Sequence, residues 1–590
     1  MMKPTPTENR LPLRKGNFST VAEALDYAAE GETGFNFYSG AGKLSVVLPY
    51  KKLQKEAKSL ARRLLGLGPK RGARVALVAD THPDFMRYFF ACQYAGLVPV
   101  PLPASIYLGG HEAFVKQLRR LLDSCKANIA IAPEEYLPYL REAAAGLDVN
   151  FYGSTSAFVH LPEEQVDLEP SGPHELAYLQ YTTGSTRFPR GVMITQQTVM
   201  NNLAAMINYG IQLQRQDRVV SWLPFYHDMG LVGMVLAPLA AQTSVDYLSP
   251  RDFAMRPRLW LKLMSENRGT ISFSPPFGYE LCHQRLRPKD IEALDLSNWR
   301  VAGVGAEPIT PEPLNCFAET LSPAGFNKNA FVAGYGMAEC TLAVSFSPLG
   351  QGLTVDNINR DHLAHYQKAV PVNSTTSGVK TFVSCGEPLA GYDVQVRNEH
   401  GRVLPERQVG TLFVRGPSVM SGYFDDVEAT RKALSADGWF NTGDLAYRDA
   451  TSIVITGRAK DLIIINGRNV WPQDLESIAE QQPEVRTGDA SAFSLPGMAG
   501  ADTAVLLIQC RNPAEAKDSD LALRVQGRIR REFGIDCKIE LVPRHTLPRT
   551  TSGKLSRSKA RKDYIERMAR PLLKQLDSAG EKIQPLRQAI

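Results

Sequence analysis

The sequence predicts an α/β protein: a large N-terminal domain of α/β subdomains with a small β-rich subdomain, followed by a small α+β C-terminal domain. Three observations predict it. Short apolar runs alternate with helical stretches over the first two-thirds of the chain, the βαβ rhythm of parallel sheets covered by helices. From Gly386 to Thr456 the texture changes to short β-prone runs separated by Gly, Pro and Asn turns. After Gly457 it changes again, to a mixed segment of about a hundred residues or more, long enough for a separate small domain. The full length of 590 residues is well beyond one ordinary core.

In chain order, Arg74 to Asp80 (RVALVAD) reads as a buried strand, Pro83 to Ala95 as an apolar helix and Leu97 to Leu102 as the next strand. Asn128 to Ala132, Val219 to Leu223 and Thr270 to Ser274 are further strands of the same kind. In the β-rich part, Tyr392 to Arg397 and Thr411 to Val414 carry the clearest strand signal. Leu349 to Lys380 fits neither pattern. It is polar, weakly periodic and longer than an ordinary connection, hence either a functional insertion or disordered.

The composition, 44% apolar and 22% charged, is that of a globular chain. A net charge of +6 permits an acidic partner but does not argue for nucleic acid. The eight cysteines include no CxxC pair, so they read as buried free thiols in a reducing compartment. Met1 to Lys15 has charge and proline but no apolar core of a secretory signal. No apolar run approaches the length of a membrane span. The expectation is a soluble, cytoplasmic protein without stable membrane insertion.

The sharpest local signal is Leu179 to Thr195, LQYTTGSTRFPRGVMIT. An apolar strand leads into Thr182, Thr183, Gly184, Ser185 and Thr186, and a second strand follows at Val192 to Ile194. Small hydroxyl residues and a glycine let main-chain N–H groups and side-chain donors wrap phosphate oxygens, and Arg190 adds positive charge. It is not the Walker pattern. Taken alone, the loop is also readable as a polar turn.

This loop resembles the phosphate loop of the adenylate-forming superfamily: acyl-CoA synthetases, peptide-synthetase adenylation domains and luciferases. Six more segments occur in that family's order: WLPFYHDMGL at Trp222, VGAEP at Val304, GYGMAE at Gly334, FNTGDL at Phe440, GRAKD at Gly457 and PRTTSGKL at Pro548. The resemblance implies an AMP-binding domain over 1–459, with an insertion at 349–380 and a β-rich subdomain at 386–456, and a mobile C-terminal lid over 460–590. It implies ATP and Mg²⁺ as cofactors. Joining a carboxylate to AMP brings two anions together, so the site needs fixed donors and cations around the phosphates.

The resemblance also assigns roles. Lys554 would reach the α-phosphate and the attacking carboxylate. Asp444 would hold the ribose hydroxyls, with Arg458 beside it. Tyr335 would stack on adenine, within the nucleotide-binding run Gly334, Tyr335, Gly336, Met337 and Ala338. Gly305, Ala306 and Glu307 would line the base. Glu339 would be a magnesium ligand. His227 lies where acyl group and phosphate meet, and either polarises the carboxylate or shapes the pocket. Lys460 would be the hinge about which the lid rotates between adenylation and thioester formation.

Within the superfamily, three features resemble the fatty acyl-AMP ligases: STRFPRG in the phosphate loop, SCG at Ser384, and the stretch after GYGMAE. In that family the insertion packs on the N-terminal domain and hinders the rotation used with CoA. The acyl-adenylate passes instead to the phosphopantetheine arm of an acyl carrier protein. The expected substrate is therefore a fatty acid. No serine-centred carrier segment follows Lys554, so the carrier is expected to be a separate protein. The alternatives are a long- or medium-chain acyl-CoA synthetase, an amino-acid-activating domain, for which no buried acid to pair with an ammonium is identified, and an inactive nucleotide-binding scaffold, against which the complete motifs argue. Leu541 to Arg570 holds nine Lys/Arg against two acids. It lacks the interleaved aromatics of a nucleic-acid surface and suits steering of an acidic carrier.

Overall fold

The computed structural model describes residues 2–7, 10–104, 110–182, 189–465, 468–495, 502–510, 520–550 and 555–578, the last ten without side-chain detail. A nine-stranded sheet forms the centre of the N-terminal part. Six adjacent strands are parallel, in the order Phe331–Gly336, Val301–Val304, Ile271–Ser274, Arg218–Ser221, Ser244–Leu248 and Gly34–Tyr38. Antiparallel strands close both ends. A second sheet is wholly parallel, in the order Val98–Leu102, Arg74–Val78, Ile129–Ala132 and Phe151–Ser154. Five of these strands, Arg74–Val78, Val98–Leu102, Ile129–Ala132, Arg218–Ser221 and Ile271–Ser274, are those read from the sequence, with ends moved by one or two residues; the others were not read. Their uniform apolar runs are explained by burial on both faces. One continuous core includes Trp260, Trp299, Tyr279 and Phe317.

The β-rich part is a four-stranded antiparallel sheet, Asp393–Arg397, Gly410–Arg415, Phe440–Asp449 and Ser452–Arg458. The polar stretch before it is ordered. Val355–Asn359 pairs antiparallel with Val379–Val383, and the helix Arg360–Tyr366 lies between them. Asn359 caps that helix, its Oδ1 accepting from His362 N at 2.9 Å. The hairpin runs three residues beyond the expected limit at Lys380. It buries Ile358, Leu363, Ala369 and Phe382 against Val409, Tyr447 and Val454 of the β-rich sheet and against Trp471. These four buried side chains are divided among two strands, a helix and a turn, so no single period runs through the sequence.

Beyond Arg458, a three-stranded sheet of Ala490–Leu495, Thr503–Cys510 and Cys537–Pro543 has a core of its own. Helices Pro472–Glu480 and Leu521–Phe533 cover one face. Helix Arg557–Ser578 covers the other, through Ala560 and Tyr564. This part touches the rest at several points. Lys380 pairs with Asp474 at 2.7 Å, Arg468 with Asp361 at 2.6 Å and Arg360 with Glu532 at 3.4 Å. Thr487 Oγ1 donates to Glu280 Oε1 at 2.8 Å. The inserted hairpin therefore packs on the N-terminal part, as expected, and also bridges to the C-terminal part.

All eight cysteines are unpaired, seven buried and Cys316 partly so. Among the described residues no helix is long and apolar enough to cross a membrane.

Candidate active site

The phosphate-loop candidate springs from a two-stranded hairpin, Leu176–Tyr181 against Gly191–Thr195. Thr182 N donates to Arg190 O at 3.0 Å, and Arg190 N donates to Thr182 Oγ1 at 3.4 Å, closing the neck. Thr183, Gly184, Ser185 and Thr186 lie outside the described residues. The segment Gly422–Phe424 forms a bridge to the hairpin, Val192 opposite Tyr423: Met193 N donates to Gly422 O at 3.0 Å and Phe424 N to Gly191 O at 2.7 Å. The Arg190 guanidinium pairs with Asp426 at 3.3 Å and lies 5.2 Å from the Tyr423 ring centroid.

Two parallel strands deliver the next pieces. Val301–Val304 ends in Gly305 to Glu307, and Phe331–Gly336 runs on into Met337, Ala338 and Glu339. The two turns press together, since a Cβ on Gly305 would stand 2.7 Å from Gly334 O. Ala306 has φ +68° and Thr341 φ +69°. Non-glycine residues held in this region carry strain of order 1–3 kcal/mol each and cluster at functional sites. Thr341 is held there because its Oγ1 donates to Ser418 O at 2.9 Å.

The β-rich sheet supplies Asp444 and Arg458, which face each other across an antiparallel pair. Their side chains pair at 3.0 Å. Tyr335 donates its hydroxyl to the other oxygen of Asp444 at 2.7 Å, so Asp444 is 5% exposed and held from both sides. Burial, reinforced by the Asp444 charge, raises the Tyr335 phenol well above its usual range, so it remains a donor. Tyr423 donates to Glu339 Oε1 at 2.9 Å. Burial raises the Glu339 carboxyl above its usual value, opposed by the Tyr423 hydrogen bond and the nearby Arg458 charge. The groups around Asp444 and Glu339 therefore share one neighbourhood.

His227 is largely buried, its Nδ1 2.7 Å from Asp228 Oδ1. Asp228 also caps the apolar helix Met229–Leu236, accepting from Met229 N at 2.7 Å. Gln180, on the strand entering the phosphate loop, donates from Nε2 to Tyr226 O at 2.8 Å. It ties that strand to the residue before His227.

Lys554 lies outside the described residues, but both flanks of its loop are placed. Arg549 and Leu555 form an antiparallel bridge, and Ser556 N donates to Pro548 O at 2.9 Å. Arg557 makes a two-pronged pair with Glu476, at 2.7 and 2.6 Å, and reaches Asp461 at 3.4 Å. Asp461 follows Lys460 directly and lies close enough to Arg458 to reinforce its positive charge. Desolvation and then the Arg458 charge hold the Lys460 ammonium below its usual pKa. Arg557, three residues after Lys554, is thus held close to Asp461 and Arg458. Sequence reasoning missed Tyr423, Asp426, Gln180 and Arg557. Gln180 carries a readable signal, a lone amide in an apolar strand leading to the loop.

The model of the family described as "AMP-binding enzyme" matches residues 39–424. The chain belongs to the AMP-binding enzymes. A solved structure from "Structural and Functional Studies of Fatty Acyl-Adenylate Ligases from E. coli and L. pneumophila" is 48% identical to this AMP-binding enzyme. It has a TM-score of 0.90 and covers 95% of this chain and 100% of that one. A Caulobacter vibrioides protein named "Putative acyl-CoA synthetase" is 46% identical over 95% of this chain and 98% of its own. The Moorena producens "Medium-chain-fatty-acid--[acyl-carrier-protein] ligase JamA" is 31% identical over 94% of this chain and 96% of its own. Within the AMP-binding enzymes the chain thus falls among the acid-activating, adenylate-forming ligases.

Proposed function

We propose that this enzyme activates a fatty acid as its acyl-adenylate and passes the acyl group to the phosphopantetheine thiol of an acyl carrier protein. In the first step a carboxylate oxygen attacks the α-phosphorus of ATP, forming the acyl–phosphate bond as pyrophosphate leaves. In the second, the carrier thiol, losing its proton, attacks the acyl carbonyl, and AMP leaves. The observation that carries the reading is the convergence of Tyr335, Asp444, Arg458, Glu339 and Arg190 on one place, with Arg557, three residues after Lys554, paired to nearby Asp461.

The roles follow from chemistry. The Asp444 carboxylate accepts from the ribose hydroxyls, and Tyr335 and Arg458 hold it in place for that. Gly305, Ala306 and Glu307 form one wall beside the base, with Gly334, Gly336, Met337 and Ala338 opposite. Thr182 to Thr186 and Arg190 hold phosphate oxygens; Arg190 exchanges Asp426 for phosphate when ATP binds. Glu339, a single enclosed carboxylate, suits Mg²⁺ completed by substrate phosphates, and the metal would neutralise charge on those phosphates. Lys554 stabilises the charge that builds as the two anions meet. His227, oriented by Asp228, faces the carboxylate.

The division into a nucleotide domain over 1–459 and a lid over 460–590 belongs to this proposal, with Lys460 as hinge. So does the exclusion of CoA. The inserted hairpin grips the C-terminal part through Lys380, Asp361 and Arg360, and such a grip opposes rotation of the lid. Relatives named as carrier-protein ligases support the carrier as acceptor. The name of the Caulobacter relative favours a second reading, an acyl-CoA synthetase. The unpaired cysteines fit a cytoplasmic location.

The test is fatty-acid-dependent exchange of label between pyrophosphate and ATP. Exchange that appears only with fatty acid, and disappears in a folded Lys554→Ala variant, is the expected result. A Lys554→Ala variant that exchanges normally would remove that residue from the mechanism, and no exchange with any fatty acid would refute the activity.

A further inference from the structure

Tyr423 sits at the meeting point of two parts of the site that the sequence keeps far apart. Its segment bridges to the phosphate-loop hairpin and is held there by main-chain bonds to Gly191 and Met193. Its ring lies beside the guanidinium of Arg190. Its hydroxyl donates to Glu339 Oε1 at 2.9 Å. Tyr423 is itself 7% exposed. Three residues on, Asp426 holds the Arg190 side chain and caps the next helix through Ala429 N at 2.9 Å.

We propose that Tyr423 is a positioning residue that ties the phosphate-loop hairpin to the metal-binding carboxylate of Glu339. It fixes Oε1 of Glu339 and so sets the direction in which the carboxylate meets Mg²⁺. The inference rests on the proposed role of Glu339.

The test is Tyr423→Phe, which deletes the hydroxyl and keeps the ring against Arg190. Two readouts are used: Mg²⁺ titration of acyl-adenylate formation, and Mn²⁺ binding to the enzyme–ATP complex by electron paramagnetic resonance. A hydrogen bond to a charged group is worth enough that the half-saturating Mg²⁺ concentration should rise roughly three- to ten-fold. Turnover at saturating Mg²⁺ should stay near wild type, and Mn²⁺ affinity should fall by the same factor. An unchanged metal titration, or a loss of turnover that saturating Mg²⁺ does not restore, would overturn the proposal. Glu339→Gln is run in parallel. If it loses metal dependence while Tyr423→Phe matches wild type, only the Tyr423 role fails. If Glu339→Gln itself binds Mn²⁺ normally, the assignment of Glu339 fails and the role of Tyr423 with it. A melting curve that matches wild type excludes misfolding, and Tyr423→Trp, which keeps a donor on a larger ring, serves as the second variant.

Discussion

Lys380, at the end of the inserted stretch, places its ammonium 2.7 Å from Asp474 of the C-terminal part and 4.4 Å from the ring centroid of Trp471. Both partners are more than four-fifths buried. Removing one member of a buried pair leaves the other charge uncompensated, at a cost of about 3–5 kcal/mol when burial is complete. Lys380→Ala should therefore lower the melting temperature by several degrees. Combined with Asp361→Ala, it should loosen the C-terminal part, read as faster proteolysis near Lys460, and should allow acyl-CoA to form when CoA is supplied. Unchanged proteolysis and no acyl-CoA would remove the hairpin from control of the acceptor.

Tyr335→Phe removes the hydroxyl that holds Asp444 and leaves the ring in place. A neutral donor to a carboxylate is worth about 1.5–3 kcal/mol, so the KM for ATP should rise roughly ten-fold, with kcat much less affected. A fall in kcat at unchanged KM would mean that Asp444 does not bind the nucleotide.

Glu339 must be ionised to hold a metal, and burial raises its pKa. The metal-dependent rate should therefore fall on the acid side at a pH above that of an ordinary glutamate. More Mg²⁺ should move the inflection to lower pH, because metal and proton compete for the same carboxylate. An acid limb indifferent to Mg²⁺ would argue that another group titrates there.

Burial pushes Glu480 up to about 7, with Gly488 N–H opposing and Glu476, Glu280 and Asp489 adding to the rise. A carboxyl whose pKa is higher folded than unfolded favours the folded state below the unfolded value. That contribution fades as pH climbs from about 4.5 to about 7. Glu480→Gln keeps the acceptor for Gly488 N without the charge. It should be more stable than wild type at pH 8, by on the order of 1–3 kcal/mol, and near equal at pH 5. Equal denaturant midpoints at both pH values would contradict this.

Arg557→Lys should not rescue the two-pronged contact with Glu476, since an ammonium cannot match that fork. The variant should slow adenylation at least about ten-fold by loosening the Lys554 loop, consistent with the sensitivity of catalysis to misplacement. Adenylation at the wild-type rate would show that this anchor does not position the loop.

Much of the site was legible because its residues sit at strand ends that local patterns mark. The motifs VGAEP and GYGMAE mark the ends of Val301–Val304 and Phe331–Gly336, where Gly305 and Tyr335 sit, although the strands themselves were not read. Asp444 and Arg458 are neighbours across one hairpin, so a short stretch of sequence holds both. The contacts that assemble the site were not legible. Tyr423 and Glu339 are 84 residues apart, and Arg557 and Asp461 are 96 apart. No local period reports such pairs. The inserted stretch was ambiguous because its four buried side chains, Ile358, Leu363, Ala369 and Phe382, are spaced by a turn, a helix and a second strand.

The most direct test of the account is the identity of the product. The purified enzyme would be incubated with ATP, Mg²⁺ and a panel of fatty acids, alone, with CoA and with a phosphopantetheinylated carrier protein, and the products read by mass spectrometry. The account predicts acyl-AMP that is unchanged by CoA and consumed by the carrier. Efficient acyl-CoA formation would contradict the exclusion of CoA, and no acyl product from any acid would contradict the activity itself.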